Sequence, residues 1–435
     1  MDVRAVGRIG LLLVAGLIGG MGLVGVAQAD YPCPIPDYYA TEYFYDNNGA
    51  IVGTERVGYC YGGPSTPTNP PTPTVPASPV ELELQVTGVA GLPGDASAVA
   101  LNLTIVDATA AGFATLYPCG AARPEASNIN YAAGQTIANS AILKPGVGGK
   151  VCVYSSAPAE VLIDVAGYFP SGSDFMPIPN PTRTLDTRNG VGAPAADLPG
   201  GQTLELASTG IAGVPADASA VALNLTVVDA AGPGFATLYP CGAARPEASN
   251  INYAAGQTIA ASAIAKPGVG GKICIYSYAT ADVLVDVAGY FPAGSDYSPI
   301  TNPTRTLDTR NGIGAPAVDL LAGRTLELAS TGVAGVPGDA SAVAVNLTIV
   351  GAGEPGFATV YPCGAARPEA SNINYEAGQT IANSAIARPG TGGKICIYTY
   401  ATADVLVDVA GYFPAGSDYT PIPNPKRILD TRNGI

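Results

Sequence analysis

The chain has 435 residues, 34 acidic against 20 basic, with 12% charged overall and a formal net charge of −14. Such a balance repels phosphate backbones and argues against a nucleic-acid partner. No histidine occurs anywhere, which excludes Ser-His-Asp and Cys-His nucleophilic machinery and imidazole metal sites.

Residues 1–29 read as a cleaved secretory signal peptide. Arg4 and Arg8 precede an apolar stretch from Ile9 to Val26, and Ala27-Gln28-Ala29 supplies a small-x-small cleavage site. No later segment offers the roughly 20 apolar residues of a membrane helix. The mature chain is therefore expected to be secreted, extracellular or held at the cell envelope, with no membrane span.

Residues 30–63 form a Tyr-rich module with its own pair, Cys33 and Cys60. There "TEYFYD", the turn "NNG" and "IVGTERVGY" predict a disulfide-linked β-hairpin. "DNNG" lacks the further acidic ligands of a calcium loop and is read as a turn. Residues 64–79, "PSTPTNPPTPTVPASP", are a Pro/Thr/Ser spacer of extended, semi-rigid character.

From Val80 onward the chain repeats itself. Gly112–Ala138 recurs letter for letter as Gly234–Ala260, and the third copy differs only at Val360 and Glu376. The expected units are 80–190, 191–312 and 313–435. In the second copy "SAVALNLTVV" alternates, with Val221, Leu223, Leu225 and Val227 on one face and Ala222, Asn224 and Thr226 on the other. Seven or eight such strands per copy, with Gly- and Pro-rich turns between, predict an all-β chain. The expected architecture is three tandem antiparallel β-sandwich domains, Ig-like or jelly-roll-like, after the hairpin module.

Each copy owns one cysteine pair at constant spacing: Cys119 with Cys152, Cys241 with Cys274, Cys363 with Cys396. One disulfide inside each copy is the economical assignment in an oxidising compartment. In the loop-entropy model each would add about 3–4 kcal/mol. There is no C-x-x-C and no phosphate loop; no metal and no cofactor are expected.

"PTRTLDTRNG" begins at Pro181 and again at Pro303, and "PKRILDTRNG" begins at Pro425. As a strand it would put Asp186 and Arg188 on one face, with Leu185 and Thr187 on the other. The lone Asp of "DVAGYF" is the natural second acid. The expected structural ion pairs thus involve Asp164, Asp186 and Arg188, then Asp286, Asp308 and Arg310, then Asp408, Asp430 and Arg432. Since all three copies have the motif after "GYFP" and the first has none before it, closure of each unit by LDTR is the simplest account.

The series P-x-R-x-LDTR, "AVALNLT", "RPEASNINY", "AGQTIAN" and "DVAGYF" resembles an LDTR-type tandem β-repeat of secreted proteins from high-GC Gram-positive bacteria. That family is largely uncharacterised. The resemblance implies export and a multi-copy architecture. It also implies that the motif opens each repeat, and that such chains occur alone or beside exported enzymes.

The candidate binding surface is "AARPEASNINY", which sets guanidinium, carboxylate, amide and phenol groups in one segment. Its residues are Arg123, Glu125, Asn128, Asn130 and Tyr131; Arg245, Glu247, Asn250, Asn252 and Tyr253; and Arg367, Glu369, Asn372, Asn374 and Tyr375. The competing role for this segment is a well-bonded turn. Asn102, Asn224 and Asn346 match glycosylation sequons but are read as half-buried residues bonding an adjacent strand.

The expected function is non-enzymatic: a surface or matrix protein acting as adhesive or spacer through multivalent weak contacts. The expected partner is a cell-wall or extracellular polysaccharide, or another surface protein. The alternatives are a carbohydrate-binding array, cut from a larger exported enzyme, and a glycoside hydrolase using paired carboxylates such as Glu125 and Asp164.

Overall fold

Runs of β-branched and aromatic residues punctuated by Gly and Pro become strands along the whole repeat region. The computed structural model describes Tyr38–Tyr45, Ile51–Tyr59 and residues 80–434. The expected signal peptide at residues 1–29, Cys33, Cys60 and the expected 64–79 spacer lie outside the described residues. β1 (Tyr38–Tyr45) and β2 (Ile51–Tyr59) pair antiparallel with Tyr38 opposite Tyr59. They belong to a unit separate from residues 75–435.

The first repeat contains β3 (Val80–Gln85), β4 (Ala98–Val106), β5 (Gly112–Pro118) and β6 (Ile129–Tyr131). It continues with β7 (Ile137–Leu143), β8 (Lys150–Ser155) and β9 (Glu160–Phe169). β10 (Met176–Asp186) carries the first LDTR motif. The second repeat follows as β11 (Thr203–Ala207), β12 (Ala220–Val228), β13 (Gly234–Pro240) and β14 (Ile251–Tyr253). Then come β15 (Ile259–Ala265), β16 (Lys272–Ser277), β17 (Asp282–Phe291) and the motif strand β18 (Ser298–Asp308). The third has β19 (Thr325–Ala329), β20 (Ala342–Val350), β21 (Gly356–Pro362) and β22 (Ile373–Tyr375). It ends with β23 (Ile381–Ala387), β24 (Lys394–Thr399), β25 (Asp404–Phe413) and β26 (Thr420–Asp430).

Each repeat builds one four-stranded antiparallel sheet alone and three strands of a second. One, the cysteine sheet, runs β3-β8-β5-β6, β11-β16-β13-β14 or β19-β24-β21-β22. The other, the shared sheet, runs β26-β9-β4-β7, β10-β17-β12-β15 or β18-β25-β20-β23. The motif strand of every shared sheet thus comes from another repeat: β10 from the first joins the second, β18 from the second joins the third. β26 returns to the first, with Arg427 opposite Asp164 and Asp430 opposite Leu162. The closure account of LDTR is corrected accordingly, because the motif strand pairs forward and the last one closes a ring.

The six sheets form a six-bladed β-propeller, and the expectation of three tandem β-sandwich domains is overturned. The physical reason lies in β4, β12 and β20, where eight of nine residues are buried. Val99, Leu101, Leu103 and Ile105 enter one apolar core, and that core runs continuously through all three repeats. Ala98 and Ala100 on the opposite face, which alternation alone assigns to solvent, pack instead with Phe169, Phe291 and Phe413. Small residues on that face allow neighbouring sheets to approach to interior packing density.

The three phenylalanines form a triangle with ring centroids 5.9–6.0 Å apart. Phe175 stacks on Phe169 at 4.7 Å and meets Phe291 of the next repeat at 5.0 Å; Tyr297 and Tyr419 do the same one repeat further on. The chain therefore crosses near the pseudo-threefold axis as it passes from one repeat to the next.

The three disulfides among the described residues link Cys119–Cys152, Cys241–Cys274 and Cys363–Cys396, each with Cα atoms 4.9 Å apart. They staple neighbouring strands of each cysteine sheet and suit an oxidising, extracellular setting. Among the described residues no helix is long and apolar enough to cross a membrane.

Candidate binding surface

The LDTR residues are consumed by the ring joints. Leu185 is fully buried in the core. Asp186 ends β10 and accepts from Arg188 Nε (2.9 Å) and Nη2 (2.7 Å), Arg183 Nη1 (3.2 Å) and Asn189 Nδ2 (3.2 Å). Thr187 Oγ1 donates to Asp282 (2.6 Å) and accepts from Val283 N–H. Gly190 takes a left-handed turn at φ 74°.

The arginine lying between two aspartates is Arg183 rather than Arg188. Its Nε and Nη2 reach the two oxygens of Asp286 at 2.8 and 3.0 Å. Arg305 holds Asp408 in the same way, and Arg427 holds Asp164. Arg188, Arg310 and Arg432 instead clamp their own Asp186, Asp308 and Asp430. The missed arginine stands three residues before each motif Asp, in the x-R-x of the quoted pattern, but its partner lies on another strand.

Electrostatics separates the two acids of each joint. The Arg188 fork holds the Asp186 carboxyl down to about 2, and Arg310 does the same to Asp308. Arg432 lowers Asp430. Burial instead raises Asp164, Asp286 and Asp408, against the pull of their arginines.

The "RPEASNINY" segment splits into an inward and an outward half. Asn128 Oδ1 takes the Leu116 N–H at 2.7 Å, and Asn250 and Asn372 make the same bond to Leu238 and Val360. Asn130, Asn252 and Asn374 each accept from a serine hydroxyl three residues before them. Tyr131, Tyr253 and Tyr375 are buried and bond Ser155, Ser277 and Thr399. The Glu125, Glu247 and Glu369 carbonyls accept from Arg183, Arg305 and Arg427, while their side chains are exposed.

The arginines turn outward. Arg123 lies 3.6 Å above the Tyr154 ring, Arg245 3.6 Å above Tyr276 and Arg367 4.0 Å above Tyr398. Beside each tyrosine lies a phenylalanine of the neighbouring strand, Phe113, Phe235 or Phe357, at 5.8 Å between centroids. In the second and third repeats a further ring extends the row. Tyr278 stacks on Phe235 at 5.5 Å and Tyr400 on Phe357 at 5.6 Å, with 58% and 53% of each exposed. In the first repeat Ser156 holds that place and bonds the Phe113 N–H. At the edge of the same sheet Tyr117 donates to Glu81, and burial with this partner pushes its phenol up to about 12.

A second feature sits near the axis. Asp174, Asp296 and Asp418 bring carboxylate oxygens within 4.8 Å of one another. Each accepts the backbone N–H of the equivalent Asp in the next repeat, at 2.9–3.0 Å. Sequence reading gave no sign of this cluster, since its members are 122 residues apart. Asp164, paired in the sequence with Glu125 for hydrolysis, is 2% exposed and held by Arg427.

No protein-family model matches the chain, and no curated protein does. Among solved structures, the CBM22-1–CBM22-2 tandem domain of Xyn10C from Paenibacillus barcinonensis aligns at 11% identity and TM-score 0.17, over 54% of this chain and 98% of that one. The Sulfolobus Turreted Icosahedral Virus structure aligns at 9% identity and TM-score 0.18, over 86% and 91%. At these scores neither similarity carries an argument about fold or function.

Proposed function

We propose that the chain is an exported, non-enzymatic binding protein of the LDTR-type repeat family, presenting its outward arginine–aromatic rows to an extracellular polymer, foremost a cell-wall or other polysaccharide. The observation that carries this reading is the row Arg245–Tyr276–Phe235–Tyr278 with its copy Arg367–Tyr398–Phe357–Tyr400. A solvent-facing aromatic ring beside a cation offers a flat apolar face with a polar rim, which suits the C–H face and hydroxyls of a sugar ring. Rows repeated on one ring gain by avidity along a polymer.

The test is co-sedimentation of the oxidised protein with isolated cell walls, chitin and cellulose. Retention on one polymer, cut at least about 10-fold by Tyr278→Ser with Tyr400→Ser, supports the reading, a loss worth about 1.4 kcal/mol. These substitutions copy the residue that the first repeat already carries. Retention unchanged by them, or none on any polymer, would leave the rows without this role and the ring as a spacer.

A further inference from the structure

Two asparagines of the shared sheets, Asn139 and Asn383, bond across joints between repeats, and the third joint lacks its counterpart. Asn139 Nδ2 donates to Asn128 O (2.6 Å) and to Asn224 Oδ1 of the next repeat (2.9 Å), and Asn139 Oδ1 accepts the Ser262 N–H (2.9 Å). Asn383 repeats all three bonds, to Asn372 O, Asn102 Oδ1 and the Ser140 N–H. At the second repeat the corresponding residue is Ala261. Asn346 is 6% exposed, and its Oδ1 meets no donor among the described residues.

The three groups that an asparagine at 261 would engage line one cavity. They are Asn250, Asn346 and Ser384, and the cavity, about 70 Å3, also takes in Asn102, Ser140 and Ala166 of the first repeat. At the joint between the third and first repeats, where Asn383 is present, a cavity of about 30 Å3 is lined by those two repeats alone. Half-buried Lys266, Ile300 and Pro303 line the larger cavity and reach solvent.

We propose that the joint between the second and third repeats is a binding site for a primary carboxamide. Two amide N–H groups would donate to Asn250 O and Asn346 Oδ1, and the carbonyl would accept from Ser384 N–H, as Asn139 and Asn383 do at the other joints. The group can arrive as a small free amide or as an Asn or Gln side chain. This site is independent of the outward rows.

The test uses the full oxidised chain in thermal unfolding with acetamide, with a glutamine-containing tripeptide, and with acetone as a control lacking the N–H donors. Acetamide is expected to raise the midpoint by about 1–2 °C at several times its Kd. It should do so in the native protein and not in Ala261→Asn, where a side chain fills the site. Asn139→Ala, which opens a second such joint, should enlarge the shift. A response to the tripeptide as well assigns a side-chain amide, and its absence a free one. Equal shifts in the native protein and Ala261→Asn, equal shifts with acetone, or no shift at all would overturn the proposal and leave water as the occupant.

Discussion

Arg427 grips Asp164 through two hydrogen bonds, Nε to Oδ1 at 3.0 Å and Nη2 to Oδ2 at 3.2 Å, across 263 residues of chain. The same grip joins Arg183 to Asp286 and Arg305 to Asp408 over 103 residues. One joint is thus made by the last strand on the first repeat.

Arg427→Ala should destabilise the entire ring. It leaves the buried Asp164 without its counter-charge, at a cost of about 3–5 kcal/mol. Because one core spans the repeats, the loss should appear as a single shifted denaturant transition, matching Arg183→Ala and Arg305→Ala in size. A first transition confined to the third repeat would contradict the ring.

Asp186→Asn tests the depressed carboxyl. Its folded pKa of about 2 lies below the ordinary 3.8, so the unfolded chain binds more protons between those values. Its stabilisation is full above about pH 4 and disappears as pH falls through about 2. The substitution should cost about 2–4 kcal/mol at pH 7 by breaking a buried, multiply bonded acid. That cost should shrink toward pH 2 in acid unfolding curves. A cost independent of pH would show that the charge is not the source.

Asn139→Ala and Asn383→Ala should each lose about 1–3 kcal/mol, because each strands a buried acceptor across a joint. Ala261→Asn should gain about 1 kcal/mol by supplying the donor to Asn346. Urea midpoints of the three variants decide this. A destabilised Ala261→Asn would mean that the second joint has repacked around the alanine.

Gly390→Ala should be severe although Gly390 has an ordinary φ of −105°. An added Cβ would overlap the backbone of Cys363, and Gly146 and Gly268 face Cys119 and Cys241 in the same way. Backbone cannot yield as a side chain can, so a loss above about 3 kcal/mol is expected. Near-native melting would refute the steric account.

Strand content, the threefold repeat and the three described disulfides were readable because they are local or fixed in spacing. The propeller was not. Alternation in "AVALNLT" places Ala100, Asn102 and Thr104 on a face without saying that a second sheet covers it, and both faces proved buried. The motif acids are legible in the string, but the bridging arginine is not. Arg188 is near Asp186 in sequence, whereas Arg183 meets Asp286 only through strand pairing. The outward rows draw Phe235 and Tyr276 from neighbouring strands and Arg245 from a loop, so no contiguous string records them. The candidate segment contributed only its arginine to those rows.

Forward donation of β10, β18 and β26 makes each repeat a brick with one protruding strand and one matching slot. Such a head-to-tail contact closes when the rotation per step divides a full turn, here into three. An excised middle repeat, residues 191–312, would carry the slot filled by β10 and the protruding β18. Three separate copies could then assemble as a cyclic trimer, with no covalent link between them, reproducing the ring. Sedimentation equilibrium would report the trimer mass. A trimer mass would make the ring a covalently tethered version of a homotrimer, and a monomer would show that the tether is what closes it.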